Sequence, residues 1–150
     1  MTDSEYMKIA IDLAKDAARA HEVPVGAVIV KDNTVIAKAH NRVETDTNPV
    51  AHAELIAIQN ACSIMKDKFL EGCDLYVTLE PCAMCAQAIA HARIRRVYFG
   101  AYDPKSGGVE HGAKVYSHKT CHFKPDVYGG VCEDECVQLI KNFFHKLRTN

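Results

Sequence analysis

Apolar residues recur at three- and four-residue intervals through Tyr6, Ile9, Ala10, Leu13, Ala14 and Ala17, which is one face of a helix with a 3.6-residue period. Ser4 can cap this run, so the pattern predicts a helix to about His21, with Pro24 marking the exit. The period then shortens. Val25–Val30 and Thr34–His40 are β-branched runs on either side of Lys31-Asp-Asn33, the composition of an antiparallel hairpin. After the polar stretch Asn41–Asn48, Pro49 suits a first helical turn, and a helix is expected from about Ala51 to Ser63 with His52-Ala-Glu54 in its first turn. Asp74–Leu79 reads as a buried strand, and Pro81 opens a helix whose first turn holds Cys82 and Cys85. Arg96–Gly100 is the next strand. Residues 102–112 are polar and glycine-rich, a long functional or mobile loop, and a last helix from about Glu133 to Leu147 follows Tyr128-Gly-Gly130.

Strand–helix–strand twice in succession asks for parallel pairing through right-handed crossovers, hence an α/β fold with helices on both faces of a mixed sheet. The chain of 150 residues suits a single domain spanning 1–150, and 48% hydrophobic with 25% charged residues is the usage of a folded protein. No repeat, low-complexity tract or linker interrupts it. No apolar run approaches the roughly 20 residues of a membrane span, and the acidic, polar start is unlike a secretory signal, so a cytoplasmic location is expected. A net charge of -1 announces no nucleic-acid partner by itself. Two local basic runs, His91–Arg96 and Lys141–Arg148, are either small basic patches or ordinary solvated helix ends.

Seven cysteines, an odd and scattered set, point to ligands or small buried hydrophobes rather than disulfides in a reducing compartment. The stretch Leu79-Glu-Pro-Cys-Ala-Met-Cys85 fits a redox dithiol, half of a structural zinc knuckle, or part of a catalytic metal site. Cys82 and Cys85, three apart at a helix start, can share one ion. With His52 they make a mixed nitrogen–sulfur set for zinc, and three protein ligands leave a fourth position for water. Cys62, Cys73, Cys121, Cys132 and Cys136 form no second pair of this kind, although Cys132 and Cys136 share a helical face; they read as small buried hydrophobes. Residues two apart are roughly 200° apart around a helix, so His52 and Glu54 can converge only beyond its N-terminal end, where the dipole favours thiolate. Zinc with two thiolates is neutral and acidifies water weakly, which a carboxylate at Glu54 would offset as proton acceptor. Alone, Glu54 reads first as a helix-start charge favoured by the dipole; with Pro81–Cys85 downstream the proton-acceptor reading leads.

His52-Ala-Glu54 followed by Pro81-Cys-Ala-Met-Cys85 resembles the signature of the zinc-dependent nucleoside and nucleotide deaminases. Within them the chain looks most like the tRNA-specific adenosine deaminases, through Val23–Val28, Asn41-Arg42, Ala51–Glu54, Leu75–Cys85, His91–Ile94, Phe99–Ala101, Asp103–Gly107, Asp134–Cys136 and Phe143-Phe144. The resemblance implies a three-layer α-β-α fold around a mixed five-stranded sheet, cytidine deaminase-like. It implies His52, Cys82 and Cys85 as ligands of one Zn2+ per subunit and Glu54 as the proton shuttle. Asn41 would hold a flipped adenine, while Asp103, Lys105 and Phe144 would lie near the anticodon strand. The implied reaction is hydrolysis of adenosine to inosine at the wobble position of a tRNA anticodon stem-loop, by zinc-bound hydroxide at adenine C6, in a homodimer. Two alternatives share the metal set: a deaminase of a free base or nucleotide of guanine, cytosine or dCMP type, and a zinc-stabilised binding module without catalysis. Relatives commonly carry Asn-His where this chain has Cys121-His122.

Overall fold

The computed structural model describes residues 1–149. Its elements run α1 (Asp3–Arg19), β1 (Gly26–Lys31), β2 (Thr34–His40), α2 (Ala53–Met65), β3 (Cys73–Leu79), α3 (Ala83–His91), β4 (Arg96–Ala101), a single 3-10 turn (Val115–Ser117), β5 (Asp126–Gly129) and α4 (Glu133–Thr149). The sheet order is β2-β1-β3-β4-β5, with β1 antiparallel to both β2 and β3 while β3, β4 and β5 run parallel. The hairpin turns on Asp32 and Asn33, both at positive φ (49° and 61°), the two-residue turn whose twist matches the strands it joins.

The expected α/β class and mixed five-stranded sheet are present, with three differences in detail. β2 and β3, joined through α2, are not neighbours, because β1 lies between them and pairs with both. Helix α1 is capped by Thr2, which accepts the Glu5 amide at 3.2 Å, and Ser4 lies inside the first turn. Helices α2 and α3 each begin two residues later than the prolines suggest: His52 and Cys82 are the N-cap residues, and Pro49 lies in the preceding turn.

Strand alternation sorts the core into two layers. Ala27, Ile29, Leu75, Val77, Val97 and Phe99 face α2 and α3, meeting Ala53, Ala57, Ala61, Ala86 and Ile89. Val28, Val30, Tyr76 and Tyr98 face α1 and α4, meeting Tyr6, Met7, Ala10, Ile11 and Cys136. Each large apolar side chain so buried contributes about 1.5–3 kcal/mol. Alanines along α2 let that helix lie close to the sheet. Gly26 does the same for α1, since a Cβ there would collide with the Ala10 carbonyl and the Ala14 amide. Tyr6, Tyr76, Tyr98 and Tyr128 form a ladder with ring centroids 5.2, 4.5 and 5.0 Å apart, across adjacent strands from β3 onward. Among the described residues no helix is long and apolar enough to cross a membrane.

This topology brings the starts of α2 and α3 together at the carboxyl end of β3. That end is where the site lies.

Candidate metal centre and active-site cleft

His52 and Cys82 each occupy a cap position, extended in backbone (ψ 149° and 173°) and without the side-chain cap bond usual there. Their side chains are therefore free to point past the helix ends. The His52 Nδ1 lies 3.7 Å from Cys82 Sγ and 3.5 Å from Cys85 Sγ. Zinc bonds of about 2.3 Å to sulfur and 2.0–2.1 Å to nitrogen, at tetrahedral angles, separate S and N by about 3.5–3.6 Å. The donor set thus fits zinc in both type and spacing. Among the described residues it is the group of histidines, cysteines and carboxylates close enough to hold a metal, its ligand atoms all within 4.8 Å of one another. All seven cysteines are free thiols; Cys73, Cys121 and Cys136 are buried, and Cys62 and Cys132 half-buried.

Hydrogen bonding from the Cys85 thiol, aided by His52, draws the Cys82 pKa down to about 4 despite its burial. The Cys85 thiol, as the donor in that pair and deeply buried, is pushed far up. A divalent cation would hold both sulfurs as thiolates, so its binding would release the Cys85 proton. His52 is raised by its bond to Cys82 against the opposing effect of burial. Glu54 is 4% exposed, and burial, reinforced by the Cys82 charge, pushes its pKa up to about 7 against the opposing pull of its own backbone amide, His52 and Cys85.

Beside these residues opens a cleft of about 820 Å³. Its floor is His52, Glu54 and Cys82; its walls come from Asn41, Val43 and Glu44, from Asp103 and Ser106, and from Phe143, Phe144 and Leu147 of α4. Asn41, Asp103 and Phe144 therefore line the same cleft as the metal cluster. Lys105 does not. It stands exposed on an adjoining groove of about 860 Å³ with Tyr102, Lys141, Phe144 and Arg148.

Asn41 also helps to build the scaffold, since its Oδ1 accepts the Ala53 amide at 2.9 Å and its Nδ2 donates to the Val23 carbonyl at 3.2 Å. It supplies from outside the cap that His52, turned to the cluster, does not. Of the two basic runs, Arg93, Arg95 and Arg96 pair with Glu71 and Asp74 at the opposite end of β3. Lys141 and Arg148 border the groove.

Two residues to which the sequence reading assigns no role, Glu80 among them although it lies within the Leu79–Cys85 stretch, shape the cleft walls. Glu22, 1% exposed, accepts the Glu44 amide (3.1 Å), the Thr45 amide (2.7 Å) and the Thr45 hydroxyl (2.6 Å). Glu80, 2% exposed, binds the loop after β4. The only signal either gives in sequence is an acidic residue at the edge of an apolar run next to a polar loop, which surface carboxylates share.

A sequence model of the cytidine and deoxycytidylate deaminase zinc-binding region matches residues 1–101, which defines the class as zinc-dependent deaminase. The tRNA-specific adenosine deaminase of Agrobacterium fabrum is 48% identical over 145 residues, 97% of this chain and 95% of the relative. The chain belongs to the tRNA-specific adenosine deaminase family. A solved tRNA:A34 deaminase, studied for A-to-I editing at the wobble position of transfer RNA, superposes with a TM-score of 0.89 at 49% identity, covering 90% of this chain and 98% of that one. A guanine deaminase from Bacillus subtilis is 42% identical with a TM-score of 0.66, over 68% of this chain and 66% of that one.

Proposed function

We propose that the protein deaminates adenosine to inosine at the wobble position of a tRNA anticodon stem-loop, with His52, Cys82 and Cys85 as ligands of one Zn2+ per subunit. The observation that carries the reading is a three-donor cluster beside a buried carboxyl, at the floor of a cleft large enough for one extruded nucleotide. Zinc, when bound, supplies the Lewis acidity that readies a water for attack. Glu54 does the proton work. Buried at the cleft floor beside the three donors, its carboxyl is placed both to accept and to return a proton. It takes one from the attacking water, delivers it to ring N1, and passes the next to the exocyclic nitrogen. A C6–O bond forms, the C6–N bond breaks, and ammonia leaves.

The remaining wall residues hold the base and strand. Asn41 lines the cleft, and its Nδ2 keeps a second hydrogen to donate to a ring acceptor. Phe144, 42% exposed, offers a stacking surface, and Asp103 and Lys105 receive the flanking backbone and sugar. An anticodon loop is single-stranded, so extruding its first base costs little. Lys105, Lys141 and Arg148 along the adjoining groove supply the local positive charge that a net charge of -1 conceals.

The whole chain acts as one domain in the cytoplasm, as a homodimer. Val50 in the turn before α2, Ile64 of α2 and Met84 of α3 are exposed apolar side chains that a second copy would cover.

A direct test incubates the zinc-loaded protein with an anticodon stem-loop carrying adenosine at the first position, and separately with free adenosine, guanine and cytidine. Inosine in the stem-loop and little turnover of the free compounds is expected. Turnover of guanine with none of the stem-loop would transfer the assignment to a free-base deaminase, the reading that the Bacillus subtilis guanine deaminase likeness favours.

A further inference from the structure

The loop that carries Asp103, Lys105 and Ser106 has no regular secondary structure from residue 102 to the 3-10 turn at Val115, yet it is not free. The carboxylate of Glu80, next to the end of β3, sits inside it. Oε1 accepts the Asp103 amide at 3.0 Å and pairs with the His111 Nδ1 at 2.8 Å. Oε2 accepts the amides of Val109 (3.2 Å), Glu110 (2.9 Å) and His111 (3.1 Å). The side chain is wholly enclosed, so these bonds replace its water shell, and bonds from N–H to a buried carboxylate are among the strong ones.

The loop is also fitted to that anchor. A Cβ at Gly107 would strike the Glu80 carboxylate, and one at Gly108 would strike the start of α3 at Ala83. The Gly108 amide donates to the Pro81 carbonyl at 2.8 Å, and the Gly107 and Ser106 amides turn back onto Asp103 at 2.8 and 3.0 Å.

We infer that Glu80 is a positioning residue: through its five bonds it fixes the 103–111 loop as a preformed wall of the cleft, and so sets how tightly the RNA strand is held. This deepens the function proposed above and rests on it for the identity of the ligand. The Glu80 side chain is enclosed by the loop, so it acts through Asp103 and the residues beside it. The same chain segment runs from Glu80 to Cys82, so a rival role, holding the metal turn in place, has to be separated. Preorganisation of a binding loop appears in affinity, whereas loss of a metal ligand's position appears in metal content and in the rate at saturation.

The test uses the full chain with Glu80→Gln, which keeps the shape but puts a donor where amides need an acceptor. Gly107→Ala is its companion, perturbing the same contact from the loop side, away from the metal turn. Three quantities are read: amide hydrogen exchange over residues 103–111, zinc per chain, and single-turnover inosine formation across stem-loop concentrations. Both variants are expected to exchange faster in the loop, to keep zinc at the wild-type level, and to need about tenfold more RNA for half-saturation, with saturating rates within about threefold. Unchanged exchange in both variants would overturn the anchoring. Zinc loss or a collapsed saturating rate in Glu80→Gln with normal half-saturation would assign it to the metal turn instead. If the wild type neither binds nor converts the stem-loop, the proposed function fails, while the exchange result still decides whether Glu80 anchors the loop.

Discussion

Replacing Asn41 by alanine is expected to loosen the metal cluster from a residue that is not a ligand. Ala53 is wholly buried, and its amide has the Asn41 Oδ1 as its partner, because the His52 side chain makes no cap bond to the helix. In the alanine variant that donor is stranded, a loss of about 1–3 kcal/mol, and the Val23 carbonyl loses a bond of about 0.5–1.5 kcal/mol. A total of about 2–4 kcal/mol, at roughly 2–4 °C per kcal/mol for a chain of this size, lowers the melting midpoint by about 5–15 °C. Because His52 immediately precedes Ala53, zinc retention during dialysis should weaken in parallel. Asn41→Asp keeps an acceptor at a helix N-terminus, where negative charge is favourable, and loses only the donor. It should recover most of the lost midpoint while still losing activity, since no amide hydrogen remains for the base. Calorimetry and metal analysis on the three proteins decide the matter. An Asn41→Ala protein melting within about 2 °C of wild type, with full zinc, would refute the idea that Asn41 builds the start of α2.

Further outcomes follow from the same geometry. Stripping zinc with a chelator should abolish turnover while leaving far-ultraviolet circular dichroism nearly unchanged, because two apolar core layers, not the metal, hold the sheet and helices. Phe144→Ala, at a side chain 42% exposed, should shift stability by less than about 1 kcal/mol yet weaken stem-loop binding by about 1–3 kcal/mol, seen by fluorescence anisotropy. Burial alone would raise the Glu22 pKa, but the bonds from Thr45 and Glu44 outweigh it and hold it below the ordinary glutamate value. A carboxyl lowered on folding adds stability that is complete above its unfolded value and lost as pH falls through the folded one. Wild type should therefore lose this contribution below about pH 4.5, and Glu22→Gln should flatten that part of the acid limb in urea unfolding.

The elements were legible because their signals are local. The α1 stripe, the Asp32-Asn33 turn and the alternation through β3 and β4 each depend on neighbours within a few residues. The errors lie where partners are distant. Nothing within the chain segment β2–α2–β3 says that β1 will take the place between the two strands; that follows only when the whole sheet closes over two helical layers. Proline marked the starts of α2 and α3 two residues early, since a cap and a first helical residue differ in backbone geometry rather than in composition. That His52, Cys82 and Cys85 come together was legible because metal chemistry restricts ligand types so tightly. Glu22 and Glu80 were not, because a carboxylate buried by folding is indistinguishable in sequence from one left in water. The 102–112 loop read as long and polar, and its order comes from Glu80, which a glycine-rich composition does not disclose.

The central claim is that this cleft converts adenosine to inosine with Glu54 moving the protons. The measurement that tests it most directly is inosine formation in an adenosine-containing anticodon stem-loop, with zinc quantified in the same samples, for the wild type and Glu54→Ala side by side. The expected result is inosine from the wild type, a rate lower by at least about 10²–10⁴-fold in the variant, and equal zinc in both. Wild-type rates from Glu54→Ala, or no inosine from fully zinc-loaded wild type, would contradict it.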